Sequence, residues 1–138
     1  MFWVKVLLSA AVAAGFAMAF NHIFKKAGQA GINFFAPVAE EWLKTGSALV
    51  FDVPVPGTHI LFGAFEAAGD FIWGGRSRLL AALFGVMAHT AFGLITCFVM
   101  EAGYPVFTAV LASLAAHMSW NTLIARLTAV KRAKSRNP

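Results

Sequence analysis

The residues best suited to chemistry in this chain are three glutamates and two histidines set in otherwise apolar surroundings. Glu40 and Glu41 lie in Glu40-Glu41-Trp42-Leu43-Lys44, Glu66 ends Phe62-Gly63-Ala64-Phe65-Glu66, and His89 and His117 sit in two later runs that are almost free of charge. A carboxyl group in a low-dielectric site can act as general base and then as general acid. One glutamate with two histidines is also an acceptable zinc set. These side chains fit hydrolysis by an activated water, which also needs a donor for the developing oxyanion. The water is either metal-free, with a glutamate as base, or bound to zinc through Glu66, His89 and His117. The residues themselves leave both forms open.

Local spacing adds detail. Gly85 and Gly93 flank His89 at i−4 and i+4, so its helical face is expected to admit a close neighbour. Ser113, His117 and Asn121 form a polar i, i+4 stripe, from which Ser113 or Asn121 would orient the imidazole. Glu40 and Lys44 are an i, i+4 pair of favourable order, which would leave Glu41 or Glu66 to titrate. Taken alone, a histidine on an apolar helix is usually a packing residue. An ionisable side chain near a bilayer centre, however, costs at least about 2.5–3.5 kcal/mol, and five together point to a site. Asp70 is intermediate, while His22, Asp52, His59 and Glu101 fall at expected segment ends, where solvation explains them.

The elements that must position these groups are hydrophobic helices. The chain has 138 residues, 59% of them hydrophobic and only 12% charged, against roughly 45–50% and 25% in soluble domains. Five apolar segments are readable: Phe2 to Asn21, Ile32 to Phe51 with Pro37 interrupting it, Gly57 to Trp73, Leu79 to Met100 and Val106 to Leu127. Breaks fall at His22–Gly28, at Asp52-Val53-Pro54-Val55-Pro56-Gly57, at Gly74–Arg78 and at Glu101-Ala102-Gly103-Tyr104-Pro105. The first segment carries Lys5 and an A-x-A pattern at Ala17-Met18-Ala19, as a secretory signal would, but its apolar run is longer than a signal core. An uncleaved helix is the expectation.

Net charge is +5, concentrated in Lys25/Lys26, in Arg76/Arg78 and in Arg126 to Arg136. Positive charge gathered between apolar segments follows the positive-inside rule and argues against nucleic acid as a partner. The expected fold class is all-α: a polytopic transmembrane bundle of about five segments, N-terminus out and C-terminus in. Residues 1–130 would form one helical domain and 131–138 a basic cytoplasmic tail. Counted from the cytoplasmic ends at about 1.5 Å per residue, Glu40, Glu66, His89 and His117 share one depth. The single cysteine, Cys97, lies in an apolar run and offers no disulfide or cysteine-metal framework.

The ordered set EExxK at Glu40–Lys44, FxxxE at Phe62–Glu66, His89, and His117-x-x-x-Asn121 resembles the PrsW family of intramembrane proteases, relatives of the CAAX prenyl endopeptidases and the bacterial Abi/CPBP proteins. The resemblance spans about Glu40 to Asn121. It implies cleavage of a membrane-embedded or membrane-adjacent peptide bond in a bacterial inner membrane, as PrsW relatives cut anti-sigma factors. Glu40 or Glu41 would then activate water, Glu66, His89 and His117 would complete the site, and Lys44 and Asn121 would support it; the family is commonly described as glutamate-dependent, so the resemblance favours the metal-free form without a cofactor, with zinc as the alternative. Family members are commonly longer, so this chain would be a minimal core, completed in one version by self-association. The same residues also admit other readings: a bis-histidine haem protein on His89 and His117, a proton- or ion-conducting bundle, or a structural adaptor that uses none of them.

Overall fold

The computed structural model describes residues 1–28, 31–73 and 78–136. Among them are five α-helices and no strand: α1 (Phe2–Phe24), α2 (Ala36–Val50), α3 (Val55–Trp73), α4 (Arg78–Glu101) and α5 (Val106–Arg136). The glycine-rich break expected at residues 74–77 lies outside the described residues, as does the side chain of Asp70.

The helix ends follow from local chemistry. α1 passes into a short 3₁₀ turn at Lys25–Ala27 that Gly28 ends with φ 67°. A π turn, Gly31–Phe35, precedes α2, and Pro37 sits at the beginning of that helix. Proline has no N–H to offer and is accommodated in a first turn, so it starts α2 where an interruption was expected. α2 closes with Asp52 at φ 53°, where Val53 N–H donates to Ala48 O at 3.0 Å and Asp52 N–H to Leu49 O at 3.2 Å. This is a Schellman stop with a short polar residue in the left-handed position. α3 then begins at Val55, two residues before the expected Gly57, because Pro56 also fits a first turn. α4 stops in the same manner around Gly103, at φ 85°. α5 runs on through Arg136 and takes in most of the basic segment.

α3 against α4 is the most extensive interface, while α2 touches α1, α3 and α5. α1 offers a face of small residues, Ser9, Ala10, Ala13, Ala14 and Ala17, all buried. Ser9 Oγ lies 2.9 Å from Thr58 Oγ1 and 3.2 Å from Ser47 Oγ, a hydroxyl cluster that ties α1, α3 and α2. Two small apolar clusters flank it, one of Val6, Ala48, Val53 and Val55, the other of Ala13, Ala14, Ala17 and Phe62.

Polarity is distributed against the pattern of a water-soluble domain. Lys44, His59 and Glu41 are among the largest fully buried side chains, whereas Trp3, Met18, Val50 and Phe98 are each more than 70% exposed. Water would reward the reverse arrangement. Two helical stretches, Phe2–Phe24 and Leu79–Glu101, are long and apolar enough to cross a membrane. α2, at 15 residues, measures about 22 Å at 1.5 Å per residue.

Candidate active site

α2 is the centre of the site. Glu41 and Lys44, one turn apart and both fully buried, are joined by an Oε1–Nζ contact of 2.5 Å. The expected Glu40–Lys44 pair does not form. Glu40, rotated by one residue around the helix, instead accepts a hydrogen bond from Asn21 Nδ2 of α1 at 2.8 Å.

α5 supplies His117, whose Nδ1–H donates to Glu41 Oε1 at 2.8 Å while Nε2 lies 3.8 Å from Glu40 Oε2. Glu41 therefore orients this imidazole. Ser113, expected in that role, donates to Val110 O, and among the described residues Asn121 makes no hydrogen bond to the cluster. α4 supplies His89. Lys44 Nζ is 3.1 Å from its Nδ1, and its Nε2 is 2.5 Å from Glu66 Oε2 of α3. Four helices thus deliver Glu40, Glu41, Lys44, Glu66, His89 and His117 to one connected cluster, and all but Glu66 are buried.

Rings wall it in. Phe92 stacks on His117 with centroids 4.7 Å apart, Phe62 meets His89 edge-on at 5.3 Å, and Lys44 Nζ lies 4.8 Å from the Phe62 centroid. His89 and His117 themselves meet edge to face at 5.4 Å. Both nitrogens of His89 are engaged, by Lys44 and Glu66, and Nδ1 of His117 is engaged by Glu41.

Close approach at His89 comes from Gly63 of α3, where an added Cβ would be 3.1 Å from His89 Cβ, and not from Gly85, which has open space beside it. Gly93 has a different neighbour: a Cβ there would come within 2.7 Å of His59 Cβ. His59, expected to be solvated at a segment end, is fully buried, and both ring nitrogens lack a hydrogen-bond partner among the described residues. Its spacing was the available signal, since His59 precedes Glu66 by two helical turns on one face of α3.

One ligand atom each from Glu40, Glu66 and His89 lie within 4.8 Å of one another. This differs from the expected set of Glu66, His89 and His117, because His117 has turned to Glu41. The donor chemistry does not suit a cation as the group stands. Lys44 offers donors only, so His89 Nδ1 must accept its hydrogen bond and the ring proton must reside on Nε2, facing Glu66. Both lone-pair positions on the imidazole are thereby taken. Carboxylate oxygens within 4.8 Å of each other are both within hydrogen-bonding reach of a single water. Compared with protein-family models, curated proteins and solved structures, the chain matches none.

Proposed function

We propose that this chain is a five-crossing integral membrane protein, N-terminus out and C-terminus in, that hydrolyses a peptide bond of a membrane-embedded or membrane-adjacent substrate with a glutamate-activated water. The observation that carries this reading is the convergence of three glutamates, a lysine and two histidines from four helices on one buried cluster. The apolar exterior supports lipid as the solvent, and the EExxK, FxxxE and HxxxN series supports a PrsW-like peptidase.

In this reading the water sits between Glu40 and Glu66. Glu40 is the base: Asn21 holds one of its oxygens, and the other has His117 at 3.8 Å, too long for a direct hydrogen bond. The water oxygen attacks the scissile carbonyl carbon as its proton passes to Glu40, and the same proton goes to the leaving amine when the C–N bond breaks. His89 Nε2–H, which donates to Glu66 Oε2 in the resting cluster, turns from that carboxylate to the oxyanion as negative charge develops there. Glu41, bound by both Lys44 and His117, is a framework anion and not the base. Glu66, with its side chain 40% exposed, marks the mouth.

The test is cleavage of a panel of single-span reporter substrates by purified protein in liposomes. Wild type is compared with Glu40→Gln, Glu66→Gln, His89→Ala and His117→Ala, with and without a chelator. Loss of product in variants that still fold, with wild type unaffected by chelator, is the expected result. Cleavage that persists in every variant would assign the activity to a contaminant and end the proposal.

A further inference from the structure

Glu40, Glu66 and His89 have the makings of a three-ligand cation site: two carboxylates and an imidazole, drawn from three helices, with one ligand atom each inside 4.8 Å. Such a set binds zinc when the imidazole presents a lone pair. Here it does not, and the cause is a single side chain outside the triad.

We propose that Lys44 is the residue that keeps this site free of metal, and that removing its charge together with that of Glu41 converts Glu40, Glu66 and His89 into a divalent-cation site. The ammonium cannot accept a hydrogen bond, so its 3.1 Å contact with His89 Nδ1 fixes the neutral ring as the Nε2–H tautomer. The fixed proton points at Glu66 Oε2. A metal would need that position bare, which requires a proton on Nδ1 facing the ammonium, donor against donor. Nor can Lys44 step aside. Its side chain is fully buried, Nζ is held by Glu41 Oε1, and the rings of Phe62 and Phe92 have their centroids 4.8 and 5.9 Å from it. Once Lys44 is apolar, Nδ1 can carry the proton, Nε2 is bare, and two carboxylates and an imidazole face one space. The inference does not rest on the peptidase reading, since it concerns only what the cluster binds.

Two measurements test it, neither of which requires activity. In wild-type protein with ¹⁵N-labelled histidine, NMR should show His89 protonated on Nε2 and bare on Nδ1. A proton on Nδ1 instead, or on both nitrogens, would overturn the proposal. The second is a cobalt(II) titration followed by visible absorption. Wild type should take up no cobalt at the site, whereas Lys44→Met combined with Glu41→Gln, which removes both buried charges together, should bind about one equivalent. Adding Glu66→Gln should abolish that uptake. Stoichiometric binding by wild type that His89→Ala removes, or a folded double variant that binds no cobalt, would also overturn it. Should the double variant fail to fold, the tautomer of wild-type His89 decides the matter.

Discussion

On one side of the cluster Glu41, Lys44 and His117 are bonded to one another and shut away, whereas on the other Glu40, Glu66 and His89 meet beneath a carboxylate whose side chain is 40% exposed. Each side has a glutamate and a histidine, and the glutamates Glu40 and Glu41 are adjacent in sequence. What separates the two adjacent glutamates is how many donors hold each one. Glu41 Oε1 receives both the lysine and the histidine, while Glu40 is held by one amide; the second oxygen of each has no direct hydrogen bond among the described residues. A carboxylate so constrained is suited to holding others in place, and its neighbour is suited to exchanging a proton.

That contrast breaks most sharply at the two adjacent glutamates. Glu40→Gln still offers Asn21 an acceptor but removes the base, so cleavage should fall by about 10²–10⁴-fold while thermal unfolding in detergent stays near that of wild type. Glu41→Gln should act mainly on stability, because it leaves the Lys44 charge buried without its carboxylate. A loss of about 3–5 kcal/mol is expected, read from denaturant unfolding. Equal stability losses at both positions would erase the distinction between the two sides.

Smaller effects separate the tightly packed part of α3 and α4 from its open flank. Gly93→Ala forces a Cβ to within 2.7 Å of His59 and should destabilise by about 1–3 kcal/mol. Gly85→Ala meets nothing within 4 Å and should stabilise the helix by roughly 0.5–1 kcal/mol. Both are measurable in the same unfolding assay, and opposite signs are the outcome that supports the packing described.

Much of this was legible in the residue string, for a physical reason. Apolar runs bounded by Gly, Pro and Asp announce helices, and an ionisable group inside such a run must find an interior partner, so Glu40, Glu41, Glu66, His89 and His117 could be assigned to one site before any coordinates. Partner choice within the site was not legible. Whether Lys44 reaches Glu40 or Glu41 depends on how α2 is rotated against α1, and the decisive group, Asn21, lies on another helix. Gly63, rather than Gly85, presses on His89 because of how α3 meets α4, which periodicity on one helix does not encode. His59 was misjudged because α3 begins earlier than its Pro-Gly sequence suggested, which places His59 inside the helix instead of at its end.

The shortness and charge of α2 have a consequence for how the chain is made. With Glu40, Glu41 and Lys44 on 15 residues, each at about 2.5–3.5 kcal/mol near a bilayer centre, this helix is a poor candidate to enter lipid unaided. Two side chains that engage its charges, His89 and His117, lie on α4 and α5, which a ribosome delivers later. On the proposed five-crossing reading, biogenesis is not a succession of independent insertions: α2 is expected to wait at the interface until α5 arrives, so that the site and the bundle are completed in the same step. A nascent chain halted before residue 117 should hold α2 in a position that water-soluble reagents can reach.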